Sequence, residues 1–75
     1  MEIKMMEPGS DETWTLSQKF AVLAYGRGPG DRLGWWLSWL NRDEDRRDEF
    51  MGGSVDERDQ AFELARTYLA ANGLN

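Results

Sequence analysis

The chain contains no cysteine and no histidine. The first absence excludes disulfide staples and thiolate metal sites. The second removes the commonest metal ligand and the usual general base near neutral pH. Long apolar runs are missing as well, so no segment reads as a membrane span, and the apolar stretch in "MEIKMME" is too short for a signal peptide. With 75 residues, the sequence forms one domain, 1–75, or one subunit of an oligomer. A chain of that size buries roughly 60% of its unfolded surface, which leaves a thin stability margin. These absences describe a cytoplasmic, soluble protein without a cofactor.

What the chain does contain is concentrated in "GWWLSWLNRDEDRRDEFMGGS", residues 34–54. Three tryptophans fall within five positions there, and five carboxylates within seven. The formal net charge of −5 is also unevenly distributed. Residues 1–42 carry five acids and five bases, and residues 60–75 carry Glu63 and Arg66, so both segments are neutral. The whole excess lies in 43–59, where eight acids meet Arg46, Arg47 and Arg58. Such a field repels nucleic acid and favours basic partners.

The clearest element is the last. Ser54 with Glu57 three residues on forms a capping box, and Asp56, Glu57 and Asp59 occupy the first turns, where the helix dipole favours negative charge. Val55, Ala61, Phe62, Ala65, Tyr68 and Leu69 make one apolar stripe, and Asn72-Gly73 supplies a left-handed stop. A helix over 55–72 follows. Upstream, "KFAVLAYGR" alternates Phe20, Val22 and Ala24 against Ala21, Leu23 and Tyr25, and "GRGPGDRLG" then breaks regular structure. Strands near 18–26, 34–42 and 48–52 form an antiparallel β-meander feeding the helix. "EIKMME" can add an N-terminal strand, and "EPGSDE" is a turn or link. The fold class is therefore α+β, with the C-terminal helix packed across a small antiparallel sheet. A three-helix bundle is the alternative, because Leu33, Trp36, Leu37 and Leu40 also follow helical spacing and "TLSQ" could cap a helix over 16–25.

In a strand, Trp35, Leu37 and Trp39 face one way while Trp36, Ser38 and Leu40 face the other. In a helix, Trp36 joins the stripe while Trp35 and Trp39 stand outside it. Either arrangement leaves at least one tryptophan off the core. Such an indole lies flat on its own sheet beside arginine stems or anchors a partner, since Trp, Tyr and Arg dominate interface hot spots. In extended chain the five acids Asp43, Glu44, Asp45, Asp48 and Glu49 would form a line of charge comparable to one DNA strand, interrupted by Arg46 and Arg47.

Catalytic and cofactor motifs are missing. Asp43-x-Asp45 begins like a calcium loop, but Arg47 occupies a ligand position and the required glycine is lacking. "GRGPG" shares only its glycines with phosphate-cradling loops and precedes a strand. The carboxylates lie in a charged run without an apolar pocket, which argues against an enzyme of glycosidase type. Arg46 and Arg47 are outnumbered by adjacent acids, which argues against direct nucleic-acid binding.

Overall size, "GWWLSWLN", "DEDRRDE" and the strand–"GGS"–helix ending together resemble small phage-encoded inhibitors, in particular anti-CRISPR proteins that act on type I surveillance complexes. Several of these are single acidic α/β domains without cysteine-based sites, and some occupy the DNA-binding surface of their target. They share no common motif, so no functional residue carries over. The resemblance implies a stoichiometric protein inhibitor in the bacterial host cytoplasm, which blocks target DNA by binding a basic, nucleic-acid-handling complex. Asp43, Glu44, Asp45, Asp48 and Glu49 would face the partner's basic residues, and one of Trp35, Trp36 or Trp39 would add desolvated contact. The alternative is a small homo-oligomeric structural or assembly module of phage origin, whose exposed aromatics pair with themselves.

Overall fold

The computed structural model describes residues 1–9 and 15–74. It is α+β: a four-stranded sheet with one C-terminal helix across a single face. The strands are β1 (Glu2–Met6), β2 (Phe20–Arg27), β3 (Leu33–Leu40) and β4 (Arg46–Gly52), in spatial order β1-β2-β3-β4. The antiparallel meander expected from the sequence is β2-β3-β4. The sheet is mixed because β1 joins it parallel to β2, pairing Glu2 with Phe20 and Met6 with Ala24. The "EPGSDE" link lies partly outside the described residues.

Alternation along β3 overturns the three-helix alternative. Leu33, Trp36, Leu37 and Leu40 are not one stripe: Leu37 is fully buried beneath the helix, Leu33 is 45% exposed, and Trp36 and Leu40 lie on the opposite face. The strand conformation buries Trp35 and Trp39 together with Leu37, whereas a helix would have left both indoles outside the stripe. The segment proposed for a first helix, 16–25, instead turns at Ser17, which bridges to Phe20, and continues as β2.

The helix α1 spans Arg58–Ala71 and is preceded by a 3-10 turn over Val55–Glu57. The capping box is formed: the Asp56 amide donates to Ser54 Oγ at 3.3 Å, and the Ser54 amide donates to Glu57 Oε1 at 3.0 Å. At the other end Gly73 takes φ 70°, and the Leu74 and Gly73 amides donate to the Leu69 and Ala70 carbonyls at 2.8 and 3.1 Å. These are the two crossed bonds of a Schellman stop. Ala61, Ala65 and Leu69 form the buried line of α1, flanked by half-buried Phe62 and Tyr68. Val55 departs from the expected stripe. It lies in the tighter 3-10 turn ahead of α1, out of phase with the core, and is 41% exposed.

The core thus lies between α1 and the side of the sheet carrying Ala21, Leu23, Trp35, Leu37, Trp39 and Met51. Small Ala61 and Ala65 let the helix axis approach the two indoles. Trp35 is fully buried, and its indole N–H donates to the Ser54 carbonyl at 3.1 Å. That bond satisfies a donor whose burial would otherwise be costly, and it ties the centre of the sheet to the helix N-cap. Leu69→Ala is expected to cost about 2–5 kcal/mol, and Ser54→Ala about 1 kcal/mol. Phe62→Ala should fall below Leu69→Ala because Phe62 is only half-buried. Urea denaturation of the three variants checks the order, and a Phe62→Ala cost above that of Leu69→Ala would contradict it.

Candidate interaction surface

The helix α1 covers one face, so every even-numbered position of β2 and β3 lies on the opposite face, which no helix covers among the described residues. This face carries Val22, Ala24, Trp36, Ser38, Leu40 and, from β4, Phe50. Trp36 is half-buried and held from three sides. Its indole N–H donates to the Arg32 carbonyl at 2.9 Å, and its ring meets Phe50 edge-on, with centroids 5.4 Å apart. The Gly28 backbone lies so close to the indole that a Cβ there would overlap the ring. Beyond the pair, the Arg32 guanidinium carbon lies 3.5 Å from the Phe50 centroid, a cation–π stack. A groove of about 320 Å³ runs beside Trp36, lined by Ala24, Gly28, Pro29, Ser38 and Asp48 among others.

Of the three tryptophans expected to offer contact area, Trp35 and Trp39 are taken up by the core at 0% and 5% exposure. Trp39 also packs edge-on against Tyr68, with centroids 5.3 Å apart. Burial against α1 therefore removes both from the contact surface. Of the three, Trp36 lies on the face opposite α1, where it packs against its own loop and borders a groove.

The carboxylates do not form a line. Only residues from Arg46 onward are extended, and a turn with Glu44 at φ 64° precedes them. Five acids consequently point three ways. Asp43, Glu44 and Asp45 occupy the exposed β3–β4 tip. Asp48 faces the uncovered side, where Ser38 Oγ donates to its Oδ1 at 2.5 Å and Arg46 pairs with the same oxygen at 3.2 Å. Glu49 emerges on the helix side, paired across the sheet with buried Leu37. Burial, and then the charge and hydrogen bond of Glu49, raise the Tyr68 phenol above its usual pKa. Asp56, Glu57 and Asp59 lie beyond the opposite end of β4, so the acidic excess of 43–59 divides between two ends of the molecule.

The β3–β4 tip is the best organised part of this surface. Asn41 Oδ1 accepts from the Asp43 and Asp45 amides, both at 2.9 Å. The Asn41 carbonyl accepts from the Glu44 amide at 3.0 Å, and the Asn41 amide donates to the Asp45 carbonyl at 3.0 Å. Four bonds to one residue fix the backbone of all three acids. Among the described residues, no basic nitrogen forms a salt bridge with Asp43, Glu44 or Asp45. Asn41 was not singled out from the sequence, although asparagine ahead of a polar run is the residue that caps such turns. Among the described residues, no three His, Cys, Asp or Glu side chains are grouped to hold a metal ion. Nor, among the described residues, is any helix long and apolar enough to cross a membrane.

Comparison with known proteins gives no match: no family model, no curated sequence and no solved structure corresponds to the chain.

Two measurements check this geometry. Gly28→Ala should push the Trp36 indole outward, raise acrylamide quenching and cost about 1–3 kcal/mol; unchanged quenching would show that the ring does not rest on Gly28. The Tyr68 phenol, raised in the folded state, favours folding fully below the unfolded value of 10.0 and loses that contribution as pH rises above it. Stability should therefore decline above pH 10.0 more steeply in the wild type than in Tyr68→Phe.

Proposed function

We propose that this protein is a stoichiometric, non-catalytic inhibitor that binds a basic, nucleic-acid-handling protein complex and blocks its access to DNA. The observation that carries the reading is the β3–β4 tip, where Asn41 fixes the backbone of three exposed carboxylates that form no salt bridge among the described residues. A charge cluster held in one conformation loses little entropy on binding, so it suits recognition of a basic groove. Asp43, Glu44 and Asp45 face the partner's arginines and lysines. Asp48 acts differently, since Arg46 already neutralises it, and its role is to keep Ser38 and Arg46 in place beside Trp36. Trp36, Phe50 and the flanking groove supply apolar contact area on the adjoining face.

The resemblance to anti-CRISPR proteins makes a type I surveillance complex in the host cytoplasm the proposed target. Three charges at a turn mimic a short stretch of phosphates, not an extended strand. The expected footprint is therefore local, at the point where the complex first grips DNA.

The test replaces Asp43, Glu44 and Asp45 by Asn, Gln and Asn, and retains Asn41. Association with the complex should slow, wild-type association should itself slow as salt is added, and thermal stability should hold or rise because three like charges no longer repel. A triple variant that displaces DNA at the wild-type concentration would sink the mechanism.

A further inference from the structure

The two edges of the sheet are protected to different degrees. β4 carries Arg46, Arg47, Asp48 and Glu49 along its edge and is disrupted by a bulge opposite Trp35 and Trp36. Charges and bulges are the devices that keep an edge from pairing. Among the described residues β1 is the other edge, without a bulge in its pairing, and it alternates Glu2 and Lys4 on the face away from α1 with Ile3 and Met5 on the helix side. Because α1 packs over β3 and β4, it leaves a groove of about 300 Å³ beside β1. Met1, Ile3, Leu69 and Ala70 line that groove, with the Glu63–Arg66 ion pair along it.

We propose that the outer edge of β1 pairs antiparallel with β1 of a second copy, in the register that places Ile3 opposite Ile3. The reason is charge. About Ile3 the sequence Met1-Glu2-Ile3-Lys4-Met5 is self-complementary: antiparallel pairing sets each Glu2 opposite the other copy's Lys4 and each Met1 opposite Met5. Moving the centre to Glu2 or Lys4 sets like charges face to face, which destabilises a cross-strand pair. Hydrogen bonding agrees with the same register. The Glu2 amide donates inward to the Lys19 carbonyl at 3.2 Å, so the alternation of a parallel ladder turns the Ile3 and Met5 backbone groups outward. Those outward groups are the ones that a second β1 would bond. Glu2 and Lys4 already interact at 3.1 Å within one chain; pairing extends this to four alternating charges across the two-fold axis. The two sheets become one of eight strands, both helices lie on the same side, and the two grooves adjoin along an apolar floor. This pairing uses neither Trp36 nor the β3–β4 tip, and it is independent of what the tip binds.

Sedimentation of the full chain tests the proposal. The wild type should be a dimer at high micromolar concentration. Lys4→Glu and Glu2→Lys should each weaken association about tenfold or more, since two attractive pairs become repulsive. The double swap, Glu2→Lys with Lys4→Glu, should restore it. Circular dichroism confirms that each variant is folded. The register has its own probe, because the chain lacks cysteine: Ile3→Cys should oxidise to a linked dimer far faster than Leu64→Cys on the exposed side of α1. A wild type monomeric throughout the range overturns the proposal. So do folded single variants that still dimerise, or Ile3→Cys linking no faster than Leu64→Cys.

Discussion

Burial of the Trp35 indole is the constraint on which the rest of the structure depends. It lies at 0% exposure between the sheet and α1, and its one polar atom is bonded to the Ser54 carbonyl. Once Trp35 faces the helix, strand alternation leaves no freedom along β3. Leu37 and Trp39 must follow it inward, and Trp36, Ser38 and Leu40 must face away. Through the register Tyr25↔Trp35 and Trp36↔Phe50, the same choice assigns the faces of β2 and β4. The bond to Ser54 then places the N-cap, and with it the direction in which α1 leaves the sheet. A slip by one residue would exchange the core for the uncovered face.

Features set by neighbours in sequence were legible before the structure. The capping box needs only Ser54 and Glu57, the stop needs only Asn72 and Gly73, and the faces of β2 and β3 follow from a period of two. The strand limits moved by two residues or fewer, because end positions depend on the partner strand: β4 starts at Arg46, where Leu40 supplies a pairing partner. Features that depend on distant contacts were not legible. Nothing local in Glu2–Met6 specifies a parallel partner, so its placement beside β2 was out of reach. The five carboxylates looked equivalent as letters; only the positions of Ser38, Arg46 and Tyr68 in space show that Asp48 is neutralised and Glu49 points elsewhere. Likewise, choosing Trp36 from three candidates required knowing which face α1 covers.

The face opposite α1 carries packing of its own. Val22 is 8% exposed and Ser38 7%, although no helix among the described residues lies above them. Among the described residues, the Trp36 ring is backed by Gly28 and Phe50, Arg32 stacks on Phe50, and Arg46 bridges Ser38 and Asp48. Arginine suits this position because its guanidinium can lie on a ring while remaining hydrated at its edge. The face is therefore neither bare nor sealed. Its surface is amphipathic and adjoins the acidic β3–β4 turn, whose backbone is hydrogen-bonded to Asn41.

The parallel placement of β1 also bears on the order in which the chain folds. β2, β3, β4 and α1 follow one another through short connections, so their pairings close small loops. β1 reaches its partner only across the stretch from Met6 to Phe20, in a pairing whose register is offset by eighteen residues, as in Glu2↔Phe20. Closing that larger loop gains nothing until a surface exists to receive the strand, because the entropy of closure precedes the contacts that offset it. The three-stranded meander with its helix is thus expected to assemble before β1 docks. Arg58 ties this end of the chain to the helix by holding Glu7 and the Met5 sulfur. Opening of the β1 edge would expose Ala21 and Leu23, the core residues paired with Ile3 and Met5, before it reached the tryptophans.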